Sequence, residues 1–169
     1  HVLFRRQRQM CIRDRVISAI NQMLNDVDWG VLDFLIVDMP PGTGDVQLTM
    51  AQKVPMSGAV IISTPQDLAL IDAKKGLEMF KKVNVPIIGI IENMSTFICP
   101  HCKEETHIFG KEGAEFEAKR QKIDFLGGIP LEVAIRETSD AGNPILSCYP
   151  EASVSKSFLS IAQKVVSKS

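Results

Sequence analysis

Three short, almost unbroken apolar runs constrain this chain more than any other feature: residues 32–39, 58–63 and 86–92. Each has the length of a strand, and each is stopped by proline, glycine or a polar cluster. Apolar residues at consecutive rather than alternate positions suit a strand covered on both faces, as in a parallel sheet. The intervening segments carry helical spacing. Val16, Ile20, Met23, Leu24 and Val27 mark one amphipathic helix, and a second is expected from about Asp45 to Val54. After the second run, Thr64 is placed to cap a helix, Pro65 to occupy its first position and Asp67 to put negative charge in its first turn. Leu70, Ala73, Leu77 and Phe80 would form its buried stripe. Further along, a charged helix is expected over 111–122 and a short fourth strand over 124–129. A terminal helix over 150–168 would place Val154, Phe158, Ile161 and Val165 on one face. This alternation predicts an α/β fold, doubly wound around a mostly parallel sheet, whose ligands bind beyond the carboxyl ends of the strands.

Bulk properties exclude several classes. The 45% hydrophobic content of 169 residues suffices for the core of one ordinary domain. A formal net charge of -1 provides no basic field for nucleic acid, and no apolar run approaches the roughly 20 residues of a membrane span. Neither nucleic acid nor membrane is therefore an expected partner. Four cysteines, of which only Cys99 and Cys102 are close together, do not make a disulfide framework. A reducing, cytoplasmic setting is expected. Residues 1–15 hold five arginines and no amphipathic period, and they read as a non-native segment resembling translated cloning DNA; the rival reading is a native basic arm. Residues 16–169 are then a partial α/β domain.

Two clusters carry chemistry. Asp38 ends the first apolar run and is followed by Met39, Pro40, Pro41, Gly42, Thr43, Gly44 and Asp45. A carboxylate at a strand end can orient magnesium, and a glycine loop behind it can bring backbone amides to a terminal phosphate. Taken alone, such an aspartate reads first as a turn cap; the full string from Asp38 to Asp45 favours the phosphate-sensing role. The second cluster is Cys99-Pro100-His101-Cys102, in a polar stretch spanning about 93–110. Two thiolates half-fill a tetrahedral zinc site or an iron–sulfur cluster, and no second Cys-x-x-Cys completes the shell. Pairing across a two-fold axis would supply four thiolates; the rival is zinc held by Cys99, Cys102 and His107, with His101 as a further candidate.

The strings at 38–45, 64–67, 92–95, 99–102 and 127–131 occur in the order shown by iron–sulfur cluster carriers of the Mrp/ApbC type. The chain resembles that family from about Asp33 to Ile145, with Met39 and Lys103 as small departures. The resemblance implies a P-loop NTPase fold like that of the nitrogenase iron protein. It also implies a homodimer, a [4Fe–4S] cluster bridging the subunits through Cys99 and Cys102, and ATP with magnesium. Asp38 would organise the metal, and Gly42 and Gly44 would sense the γ-phosphate. Asn93 would bond the adenine edge, and Pro130 would pack beside the base. The activity implied is delivery of the cluster to recipient apoproteins, gated by ATP hydrolysis. The alternative function is a zinc-knuckle interaction module on a non-catalytic nucleotide fold. A partition-type ATPase is a third reading, weakened because no terminal basic amphipathic helix is evident.

One expected part is missing from the string. The single Gly-Lys pair, Gly110-Lys111, is followed by Glu112 where a phosphate loop needs Ser or Thr. The expectation is a domain entered partway, lacking its first strands and phosphate loop, and inactive as an ATPase on its own. Cys148, outside the matching strings, is expected to be an ordinary semi-buried thiol.

Overall fold

The computed structural model describes residue 15, residues 18–39 and residues 44–169, with only the backbone of 45 and 46. Residues 1–14, Val16, Ile17 and the loop residues 40–43, Gly42 among them, lie outside the described residues. The chain divides into two units, His1–Met56 and Ser57–Ser169.

In the first unit residues 18–25 form helix α1 and Asp45–Lys53 form α2. Ile20 and Asn21 of α1, with Thr49, Met50 and Lys53 of α2 and the following Val54, line a small cleft. Trp29 donates its indole N–H to the Met23 carbonyl at 3.0 Å, which closes the end of α1. The expected buried strand over 32–39 does not form. No residue there is in a strand, and Leu32, Phe34, Leu35, Ile36 and Val37 are exposed, Ile36 by 81%. A strand exists only through its partners' hydrogen bonds. Among the described residues every sheet strand lies between Ala59 and Leu131, and this run is not among them.

The second unit contains the sheet. Strand β1 (Ala59–Ser63) leads into α3 (Asp67–Lys82) and then β2 (Ile87–Ile98). After the two-residue strand β3 (Glu105–Thr106) come α4 (Gly113–Gln121) and β4 (Phe125–Leu131). Three helices close the chain: α5 (Val133–Asp140), α6 (Ile145–Cys148) and α7 (Ser153–Val166). Strand β2 is central, with β1 and β4 parallel to it on either side and β3 antiparallel at its far end. The expected α/β architecture with a mostly parallel sheet is present. Two helices, α5 and α6, had no counterpart in the sequence reading.

Consecutive residues of β2 show why the run 86–91 lacks polar alternation. Ile91 joins the core made with Leu126, Ile129, Ile145, Val154 and Ile161, on the side where α7 packs. Its neighbour Glu92 points the other way and meets the start of α4. Both faces are covered, so alternation is lost. The stripe predicted for α3 is largely as expected, with Leu70, Leu77 and Phe80 buried.

The entry to α3 differs from expectation. The helix starts at Asp67 behind Gln66, two residues after Pro65 and three after Thr64. Pro65 is buried against the turn before α4, where its carbonyl lies 2.6 Å from where a Cβ on Gly113 would stand. That packing takes it out of the helix. The Thr64 hydroxyl is buried and has no hydrogen-bond partner among the described residues, so it caps nothing.

Candidate functional site

The carboxyl ends of the three parallel strands align in a row. Ser63 pairs with Glu92, Glu92 pairs with Gly128, and Asn93 pairs with Ile129. The register then breaks. Three residues of β2, Met94 to Thr96, oppose the single Pro130 of β4 before Phe97 and Leu131 pair again. Proline has no N–H for the ladder, so the pairing must open at that point. Met94 takes up the slack in the left-handed region, φ 55°, and donates its N–H to Asn93 Oδ1 at 3.0 Å. That bond orients the Asn93 carboxamide at the strand edge. Asn93 and Pro130 are thus brought to one place from strands β2 and β4. Gly128 fits the same edge because a Cβ there would stand 2.9 Å from Ser95 Oγ.

A polar loop was expected straight after Glu92. Instead β2 continues to Ile98 and forms a hairpin with β3, where Phe97 pairs with Thr106 and Ile98 with Glu105. Cys99 and Cys102 sit in its turn. The turn is tight: the Cys99 amide bonds the Glu104 carbonyl at 3.0 Å, and the Lys103 amide bonds the Cys99 carbonyl at 2.9 Å. Lys103 adopts φ 61°, a left-handed conformation that a lysine takes only where the fold demands it.

Both thiols are accessible, Cys99 half-buried and Cys102 exposed. The Cys99 thiol is held below its ordinary range, chiefly by the backbone N–H of Cys102, then by that of His101 and by the Cys102 side chain. Burial opposes this weakly, and the Lys103 ammonium assists. Amides converging on a sulfur favour the thiolate, the form that binds soft metals.

The three-ligand zinc alternative does not assemble. Among the described residues no group of three His, Cys, Asp or Glu side chains converges on a metal position. His107 instead sets Nδ1 3.3 Å from the Ser95 carbonyl. The hairpin offers two thiols, half the number that a four-sulfur shell requires. Cys148, expected to be semi-buried, is exposed at the end of the four-residue α6, which is too short to cover it.

Asp38 and Gly44 belong to the other unit. Asp38 is exposed in the unpaired stretch, and Gly44, with φ -81° and ψ -175°, is the N-cap of α2. Gly42 lies outside the described residues.

Glu92 is the residue that sequence reasoning passed over. It is only 4% exposed, and its Oε2 accepts the Ala114 N–H at 2.8 Å. Burial raises its pKa despite that bond, with Glu115 and Glu112 pushing the same way and His107 opposing. A carboxylate closing an otherwise continuous apolar run was the available signal.

A parallel α/β sheet with polar and glycine residues aligned at its carboxyl ends, and a thiol hairpin beyond them, defines a nucleotide-type α/β fold. Comparison with known proteins makes this specific. A family model described as ParA, NUBPL iron-transfer P-loop NTPase, matches residues 2–166, and the chain belongs to that family. The chain is 57% identical over 151 residues to the iron-sulfur cluster transfer protein NUBPL of Mus musculus, covering 89% of this chain and 47% of that protein. It is 51% identical to an iron-sulfur cluster carrier protein of Haemophilus influenzae, covering 88% of this chain and 40% of that one. An Arabidopsis thaliana protein named as an iron-sulfur protein required for NADH dehydrogenase, mitochondrial, is 55% identical, over 89% of this chain and 48% of its own length. The chain thus spans about half the length of the curated relatives it matches.

Among solved structures, a nucleotide-binding protein of Archaeoglobus fulgidus in complex with ADP is 41% identical with a TM-score of 0.68, covering 75% of this chain and 52% of its own. The cell division ATPase MinD of Pyrococcus furiosus shares the fold at 21% identity and a TM-score of 0.64, over 93% of this chain and 59% of that one. The P-loop NTPase fold expected from the sequence is therefore the observed one, and no helix among the described residues is long and apolar enough to cross a membrane.

Proposed function

We propose that the intact protein carries an iron–sulfur cluster and hands it to recipient apoproteins. The observation that supports this most is the hairpin turn, which presents two accessible thiols with converging amides and, among the described residues, no third ligand. In this reading the cargo is a [4Fe–4S] cluster held by Cys99 and Cys102 from each of two copies related by a two-fold axis. The names of the mouse and Haemophilus relatives, as transfer and carrier proteins, support the same direction.

ATP would bind at the carboxyl edge of the sheet. Asn93, its carboxamide oriented by Met94, suits the paired donor and acceptor of adenine, and Pro130 lies on the neighbouring strand to flank the base. Asp38 would organise magnesium, and Gly42 and Gly44 would follow the γ-phosphate. Hydrolysis would gate the dimer and thereby cluster release. Two accessible thiols that are to bind a cluster need a reducing compartment, in our reading the cytoplasm; the name of the Arabidopsis relative places that protein in mitochondria.

The test is anaerobic reconstitution of the full-length protein with iron and sulfide. Cys99→Ser and Cys102→Ser should each abolish the broad visible absorbance of the cluster, and iron with acid-labile sulfide should be found at one cluster per dimer. Stoichiometric zinc without sulfide, or absorbance that survives both substitutions, would overturn the assignment.

A further inference from the structure

Helix α4 starts in an unusual way. Its N-cap, Glu112, sits in the left-handed region at φ 57° and its side chain caps nothing. An N-cap side chain ordinarily accepts the amide of the second or third helical residue. Here that service comes from 22 residues upstream, where Glu92 Oε2 accepts the amide of Ala114. Both residues are buried, Ala114 completely. The preceding position is wedged as well, since a Cβ on Gly113 would stand 2.6 Å from the Pro65 carbonyl oxygen and 3.0 Å from Leu70 Cδ1. The turn that enters α4 is therefore clamped between the ends of β1 and β2.

The other end of the same loop is the hairpin. Residues 107–112 run from β3 to α4, and His107 meets the Ser95 carbonyl at the base of the hairpin. A carboxylate is a costly choice for so buried a position, because desolvation opposes its charge. An aliphatic residue would fill the space but could not accept the amide.

We propose that Glu92 is a positioning residue: by holding Ala114 it fixes the loop over 107–113, and with it the return strand of the hairpin that presents Cys99 and Cys102. The thiols are then set against the edge of the sheet by one buried carboxylate rather than by the hairpin's own four pairing residues. This rests on the reading of those thiols as cluster ligands.

The experiment compares full-length wild type with Glu92→Gln, Glu92→Ala and Gly113→Ala. Amide exchange of Cys99 and Lys103 is measured on the apo-protein, and the rate of iron removal by a chelator on the reconstituted one. Glu92→Ala should speed both by about tenfold, the scale of one lost hydrogen bond to a buried charged group, while β1 amides exchange as in wild type. Glu92→Gln keeps an acceptor for Ala114 and should stay near wild type in both. Gly113→Ala, which pushes the turn off Pro65, should resemble Glu92→Ala. The proposal is overturned if Glu92→Ala melts normally and changes neither rate. It is also overturned if Glu92→Gln behaves like Glu92→Ala. Should Glu92→Ala not fold, an unchanged hairpin in folded Gly113→Ala overturns it equally. A wild-type protein that binds no cluster would refute the carrier reading, and the exchange comparison would still decide this one.

Discussion

Residues 32–39 and 86–92 look alike as sequence, yet one is exposed and unpaired while the other is the centre of the sheet. Both are strand-length, apolar at consecutive positions, and bounded by residues that break regular structure. The second finds β1 and β4 on either side, α4 above and α7 below. The first finds no strand among the described residues. Apolar character says that a segment can be buried; hydrogen-bond partners decide whether it becomes a strand.

The contrast can be broken or sharpened by substitution. The largest effect is expected at Leu126, fully buried beside Ile91, where Leu126→Ala should cost about 2–5 kcal/mol in urea unfolding followed by circular dichroism. A smaller loss, about 1–3 kcal/mol, is expected for Gly89→Ala, because the added Cβ would stand 2.6 Å from the Asp124 carbonyl and 2.7 Å from Leu126 Cγ. If either change is neutral, the paired region is less tightly packed than its geometry states.

Glu92 should write itself into the pH dependence of stability. Its folded pKa is raised above the ordinary 4.5, so the folded chain holds the proton to higher pH than the unfolded chain does. The resulting contribution is complete below the ordinary carboxylate range and is lost as pH rises through the folded value. Glu92→Gln has no such proton, so wild type should lose stability relative to it from about pH 4 toward neutrality. Parallel stability curves would show that burial does not perturb this carboxylate. The smallest effect belongs to the unpaired run, where Ile36→Ala should change stability by less than about 0.5 kcal/mol. A loss of several times that size would mean that residue 36 is buried in solution.

The same contrast explains what was legible. Runs 58–63 and 86–92 were read as strands and are strands, because each has a partner to supply what the pattern requires. Run 32–39 was read by the same rule and is not one. The hairpin was missed because residues 93–98 are mixed in polarity, and their extension of β2 depends on pairing with Thr106 and Glu105 rather than on pattern. The Cys-x-x-Cys pair was visible at once, since residue type and spacing are local. The neighbourhood of Asn93 and Pro130 depends on register between two strands, which no local spacing states. Glu92 was passed over for a similar reason: its partner lies 22 residues away.

Local chemistry was therefore determined by the string of residues alone: the helical periods and strand-length apolar runs, the thiol pair, the glycine and proline punctuation. These follow from short-range sterics and from periodicity, which adjacent residues carry by themselves. The tertiary structure decided which apolar runs pair, where the hairpin stands and which amide the buried carboxylate accepts. Those outcomes depend on surfaces that meet only after the chain has closed upon itself, and hydrogen bonds and desolvation act on what has actually met.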